Sequence, residues 1–178
     1  MTKLHPLVVK AFEQANIDVV SLTQHGRYVS DGQIKYFVKT SHNVPQLKGE
    51  HASLTALTLT APAGFVPRSF SVAISEDGKE GGMVSEYFEM GGVKDQAELG
   101  RRLALLHRVP DSGNADGPEA NEEGKYGFDV PTHCGVTEQD NTWTESWKEF
   151  FVRRRAGDIV RRLGDERVTQ LWAEMQER

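Results

Sequence analysis

Ile34-Lys35-Tyr36-Phe37-Val38-Lys39, with Glu50 eleven residues beyond its last lysine, is the stretch on which the fold turns. β-Branched and aromatic residues in a short run predict a strand. A lysine at the end of that run puts an ammonium beside a low-dielectric core, where a lone charge is costly and an anion relieves it. Leu47 to Leu59 reads as the next helix, with Leu47, Leu54 and Leu57 on or near one face, and it can supply that anion from Glu50. Taken alone, the pattern reads first as an edge strand ending at Lys39 with Glu50 facing solvent, because V-x-K is common. Its neighbours decide the matter.

Upstream, Leu7, Val8, Ala11, Phe12 and Ala15 recur at helical spacing behind Pro6, predicting a short helix that closes near Asn16. Ile17 to Leu22 then reads as a strand, with Gln24-His25-Gly26 as its turn. Arg27-Tyr28-Val29 reads as a second strand, joined to Ile34–Val38 through the turn dipeptide Asp31-Gly32. Downstream, Pro62 and Pro67 punctuate the chain. Phe70–Ile74 and Gly82–Phe88 read as two more strands around Glu76-Asp77-Gly78. Residues 1–90 therefore predict a five-stranded antiparallel sheet with an inserted helix.

Residues 91–178 predict a helical second piece, making the whole α+β in two unequal parts. Asp95 and Glu98 form a capping pair ahead of a helix whose inner arc holds Leu99, Leu103, Ala104, Leu106 and His107. Residues 111–124 (DSGNADGPEANEEG) contain no aromatic or β-branched residue and predict a mobile acidic loop. Thr142 and Glu145 read as a T-x-x-E capping box, placing Trp143, Trp147, Phe150 and Phe151 on one buried helix face. A last helix starts near Asp165, with Val168, Leu171, Trp172 and Met175 as its stripe.

Composition narrows the function classes. With 21 basic and 26 acidic residues the net charge of -5 offers nucleic acid no general attraction. Cys134 is the single cysteine, which excludes an internal disulfide framework and a CxxC metal site, and it reads as a small buried residue. No run approaches the ~20 apolar residues of a membrane span. The N-terminus is polar, so a cytoplasmic protein is expected. The six histidines show no H-E-x-x-H spacing, so no zinc is expected, and there is no G-x-S-x-G elbow. Arg153, Arg154, Arg155, Arg161 and Arg162 read as a solvated basic helix face.

Val84-Ser85-Glu86-Tyr87-Phe88 adds a second candidate site. A strand that leaves its sheet into Gly91-Gly92 presents bare backbone, and the C=O of Glu86 and N–H of Phe88 have the spacing of adenine's two polar edges. Strand lysine, helix glutamate, two strands, hinge and helix is the order of a kinase fold, in which such a pair holds the lysine against the nucleotide phosphates.

The sequence resembles the fructosamine-3-kinase (ketosamine-3-kinase, protein-ribulosamine 3-kinase) family of the protein-kinase-like fold. The resemblance rests on Phe37-Val38-Lys39, on Gly49-Glu50-His51-Ala52-Ser53-Leu54 with Ala56-Leu57, on Val66-Pro67-Arg68 and on Glu86-Tyr87-Phe88. It continues through Leu99–His107, Tyr126-Gly127-Phe128-Asp129, Cys134-Gly135, Asn141-Thr142-Trp143, Trp147, Phe150-Phe151, Arg153, Arg155 and Leu171-Trp172. It implies ATP and Mg²⁺ as cofactors and the ketosamine of a glycated lysine as substrate, phosphorylated on its 3-hydroxyl. It further implies that Lys39 orients phosphates, that Glu50 positions Lys39, and that Glu86, Tyr87 and Phe88 hold adenine through the backbone.

Two departures qualify the resemblance. The turn that covers phosphate has a single glycine, Gly26, in Ser21–Gly26. The family's H-G-D-L-W-x-G-N loop and D-P-A segment occur nowhere in these 178 residues, so no catalytic residue and no metal ligand is assigned. The expectation is a truncated kinase-like chain, an N-lobe plus the first C-lobe helices, inactive alone and inclined to self-associate through uncovered apolar surface. The alternative is a non-catalytic module that binds nucleotide or a partner.

Overall fold

The computed structural model describes residues 4–26, 28–91, 95–107 and 124–177. The chain divides into two compact units, Met1–Pro118 and Glu119–Arg178.

In the first unit, α1 (Pro6–Gln14) starts where His5 Nδ1 accepts the Leu7 N–H at 3.4 Å, and it ends at Asn16, held at φ 56°. The strand expected over 17–22 does not form. Asp18 Oδ1 accepts the Val20 N–H at 2.9 Å, and Val19 C=O accepts the Leu22 N–H at 3.3 Å. Local turn bonds thus occupy groups a ladder would need. The first strand is instead β1 (Thr23–His25), in residues read as a turn. β2 (Tyr28–Ser30) and β3 (Lys35–Ser41) follow, β3 running three residues past the expected end. Arg27 lies outside the described residues.

Asn43 Oδ1 then accepts the Gln46 N–H at 3.1 Å and starts α2 (Val44–Thr60) one turn before the expected Leu47. β4 (Ser69–Ile74) and β5 (Gly81–Glu86) complete a five-stranded antiparallel sheet in the order β1-β2-β3-β5-β4. β5 stops at Glu86, leaving Tyr87 and Phe88 beyond the strand.

Alternation assigns the faces. The pairs Val29↔Tyr36 and Val38↔Val84 put these residues on the side of α1, where Phe12 meets the Tyr36 ring edge-on at 5.2 Å. Val8, Ala11, Phe12, Val29, Tyr36, Ala73 and Val84 form the core there. Full burial of a side chain such as Phe12 or Val84 contributes about 1.5–3 kcal/mol. The other face carries α2, whose Leu47 is fully buried. Lys35, Phe37 and Lys39 share that second face.

α3 (Gln96–Leu106) starts at Asp95, whose Oδ1 accepts the Glu98 N–H at 3.0 Å. The expected capping pair is one-sided, because the Glu98 carboxylate turns to Arg101 and Arg102. The expected inner arc is uncovered: no residue of α3 is buried. The acidic loop lies outside the described residues up to Gly124.

The second unit opens with a bridge, Tyr126↔Thr144, and a hairpin, β6 (Thr132–Cys134) with β7 (Thr137–Gln139), that the sequence reading did not anticipate. Cys134 sits on it exposed, not buried. The helix expected from Thr142 starts later. Thr142 gives its N–H and hydroxyl to Asp140 Oδ1 at 2.9 and 2.6 Å, and Thr144 is spent on the bridge. Ser146 is the cap, accepting the Glu149 N–H at 3.4 Å. α4 (Trp147–Glu149) runs into a π-helical segment, Phe150–Ala156, and then α5 (Gly157–Leu163). Trp143 is therefore outside the helix, and the widened turn breaks the 3.6 period behind the expected stripe. Phe150 is buried at 6%, but Trp147 and Phe151 stay 54% and 44% exposed. After Gly164 at φ 64°, Asp165 caps α6 (Glu166–Gln176). The basic residues along these helices are largely paired, Arg153 with Glu149, Arg154 with Asp140, and Arg161 and Arg162 with Asp158.

Candidate functional site

The site lies in the first unit, on the sheet face that carries α2. Lys39 stands opposite Met83 in the β3–β5 ladder, six registered pairs long. Leu47 holds α2 against the sheet one turn before Glu50. There Gly81 has no side chain, and a Cβ on it would lie 2.6 Å from Leu47 Cδ2. Glu50 is thereby brought to Lys39, with Nζ to Oε2 at 2.5 Å. Both side chains are half-buried, about a third exposed at 32% and 34%. Water still reaches such a pair, so its worth to stability is about 1 kcal/mol or less. What it fixes is direction: the ammonium is aimed at Glu50 on α2. Beside it, His51 Nδ1 lies 2.7 Å from Ser69 Oγ, and burial lowers the imidazole pKa, favouring the neutral ring.

The hinge candidates are placed by the ladder. Glu86 N–H donates to Arg68 C=O at 2.8 Å, and Glu86 Oε2 accepts the Arg68 N–H at 2.9 Å. Tyr87 N–H donates to Lys35 C=O at 3.3 Å, on the opposite edge of the strand. One oxygen of the Glu86 carboxylate is thus bound to Arg68, and the Glu86 backbone carbonyl accepts from the Ser85 hydroxyl at 3.4 Å. Gly26 sits between His25 and Tyr28, which pair with each other, and adopts φ +59°. Nothing lies within 4 Å of where its Cβ would be, so the glycine answers a left-handed backbone and not a crowded one.

The structure also joins to Tyr87 residues to which the sequence reading gave no site role. Tyr28 stacks with His25 at 5.2 Å and meets Tyr87 at 5.0 Å. Lys35 Nζ lies over both tyrosine rings and pairs with Glu89. The alternation of Lys35, Phe37 and Lys39 was a signal that Lys35 shares the face of Lys39. Among the described residues, no group of three or more His, Cys, Asp or Glu side chains is placed to hold a metal ion. Glu50 is occupied by Lys39, so the described residues do not fit the Mg²⁺ that the resemblance implies.

A five-stranded antiparallel sheet, a helix after its third strand and a glutamate from that helix on a strand lysine define the smaller lobe of the protein-kinase-like fold. Within that class the match is narrower. The family model for fructosamine kinase matches residues 7–177, and the chain belongs to that family. A ketosamine-3-kinase of Mus musculus is 31% identical over 88% of this chain and 60% of its own length. A chloroplastic protein-ribulosamine 3-kinase of Arabidopsis thaliana is 30% identical, covering 83% of this chain and 41% of its own length. A crystal structure from Thermobifida fusca, assigned as a fructosamine-3-kinase, superposes with a TM-score of 0.59 at 19% identity, over 92% of this chain and 55% of that one. One from Haemophilus somnus, assigned likewise, gives 0.57 at 20% identity, over 87% and 54%. The chain thus spans between about two fifths and three fifths of the length of these relatives. Among the described residues no helix is long and apolar enough to cross a membrane.

Proposed function

We propose that this chain carries the nucleotide-binding half of an ATP-dependent kinase acting on the ketosamines of glycated proteins. The observation that carries the reading is the Lys39–Glu50 pair, held between β3 and α2 three register positions from Glu86 at the end of β5. Lys39 would meet the α- and β-phosphates, with Glu50 fixing its direction. The Glu86 carbonyl would accept from adenine. A backbone continuing extended past Tyr87 would bring the Phe88 N–H back to the same edge to donate. Gly26 would let the β1–β2 turn fold over phosphate, though one glycine converges few N–H groups. Bound ATP supplies the phosphoryl group; the chain's own residues bind and orient it.

The chain alone is not expected to transfer phosphate, because no His-Gly-Asp occurs in its sequence and no three His, Cys, Asp or Glu side chains among the described residues are placed to hold a metal ion. Calorimetry with ATP, with and without Mg²⁺, on the wild type and Lys39→Ala separates the readings. Binding that is lost in Lys39→Ala supports the kinase-derived pocket. No binding to the wild type would leave a partner-binding module, and phosphorylation of a fructosyl-lysine peptide would overturn the inactivity.

A further inference from the structure

The β1–β2 hairpin is weakly held by its ladder. Two registered pairs, Val29↔Tyr36 and Ser30↔Lys35, attach it to β3, against six between β3 and β5. All three residues of β1 are exposed. Val29 anchors the far end of β2 in the core, but among the described residues the tip, Gln24 to Gly26 with Tyr28, buries no side chain and is expected to fray. Yet the tip is not left loose. Tyr28, two residues after Gly26, rests its ring 5.0 Å from that of Tyr87, the first residue past β5. His25 stacks on Tyr28 from the other side of the turn. Lys35 Nζ then sits 4.9 Å from the Tyr28 ring centre and 5.9 Å from that of Tyr87. Its charge is attracted by both ring faces at once. Glu89, two residues beyond Tyr87, holds the same ammonium from the hinge side, and this bond raises the lysine pKa above its ordinary value. The side chains of Tyr28, Lys35, Tyr87 and Glu89 thus link the Gly26 turn to the hinge on the face that also bears Lys39.

We infer that Lys35 is a positioning residue: by bridging Tyr28 and Tyr87 it fastens the Gly26 turn to the hinge and sets the spacing of these two segments, the cleft that nucleotide would enter. The inference rests on the proposed nucleotide reading for its consequence, but the fastening itself is a property of the free protein. A cleft pre-set in its binding-competent state loses no affinity to a loosened population, and releasing the tie lowers affinity by the fraction lost.

The test uses the full chain as wild type, Lys35→Met and Lys35→Arg. Lys35→Met keeps the length of the side chain and removes its charge. Amide hydrogen exchange in the ligand-free proteins should speed up in β1 and β2 by about threefold to tenfold in Lys35→Met, with β3, β4 and β5 unchanged. Lys35→Arg, which keeps the charge over the rings, should restore the wild-type pattern. The Kd for ATP should rise by a similar factor in Lys35→Met and return in Lys35→Arg. Unchanged exchange in β1 and β2, or a rise spread evenly over the sheet, overturns the inference. A wild type that binds no ATP defeats the nucleotide reading and the claim on cleft width, while the exchange comparison still decides the fastening.

Discussion

Lys39 Nζ meets Glu50 Oε2 at 2.5 Å across the space between β3 and α2, joining residues eleven apart in sequence. Because both side chains remain partly in water, the pair directs a charge more than it holds the fold together. Glu50→Gln should therefore lower the unfolding free energy by about 1 kcal/mol or less, read from urea denaturation. It should weaken ATP binding by about tenfold, since Lys39 is then free to turn to solvent. A large stability loss with unchanged affinity would reverse the assignment of orientation over stability.

Gly82 bears the first turn of α1. A Cβ at this position would lie 2.7 Å from the Leu7 carbonyl carbon and 2.9 Å from the Val8 nitrogen, both backbone atoms. No side chain can swing aside to relieve that contact. Gly82→Ala should lift α1 from the sheet and cost about 1–3 kcal/mol, measured as a lower denaturation midpoint with loss of the packing around Phe12. Gly91→Ala, where nothing lies within 4 Å of the added carbon, is the control and should leave stability near the wild type.

The sheet was legible wherever sequence period and turn chemistry agreed. Asp31-Gly32 joined β2 to β3 as expected, and the β4–β5 pair matched its apolar runs. Ile17–Leu22 misled because its apolar residues resemble a strand while Asp18 diverts the backbone into a turn. The second unit misled for a related reason. Two S/T-x-x-E patterns lie four residues apart, Thr142 to Glu145 and Ser146 to Glu149, and only the second caps a helix. Asp140, two residues upstream, claims Thr142 in a local turn, and Tyr126 claims Thr144 across eighteen residues, a contact that no local pattern records. In the candidate site, the Lys39–Glu50 pair could be read from spacing. The Tyr28–Tyr87 contact could not, because it depends on sheet order β2-β3-β5.

Glu98 gives α3 a pH dependence. Hydrogen bonds from Arg101 first, and then Arg102, pull its carboxyl from an ordinary 4.5 down to about 2. A carboxyl lowered in the folded state adds stability above its ordinary pKa and loses it as pH falls through the folded value. The helical signal of α3 should therefore weaken between about pH 4.5 and pH 2. Circular dichroism titration of the wild type against Glu98→Gln checks this; identical acid limbs would remove Glu98 from the account.

Apolar side chains stand exposed on the second unit, including Trp147, Ile159, Leu163, Leu171 and Met175. Solvent contact with so many large residues favours association. Light scattering across a concentration series should show a mass rising above 19.9 kDa, and Leu171→Glu combined with Met175→Glu should return it toward that value. A constant monomer mass at all concentrations would contradict the expectation.

Gly157 closes the π-helical segment by donating its N–H to the Val152 carbonyl, five residues back. The same approach leaves no room for a side chain: a Cβ on Gly157 would lie 2.1 Å from that oxygen. The oxygen belongs to backbone, so the widened turn must give way if the carbon is added. Relaxation to α-helical bonding would shift the register between Phe150, which is buried beneath the Arg155 guanidinium, and the residues after Gly157. Arg155 also donates to the Asp140 carbonyl at 3.0 Å and to Asn141 Oδ1, so the shift would pull on the loop that follows β7. Gly157→Ala should therefore destabilise the second unit by about 1–3 kcal/mol and speed amide exchange in both α5 and β7. A substitution that leaves β7 protected while α5 frays would show that the π segment is not coupled to the hairpin.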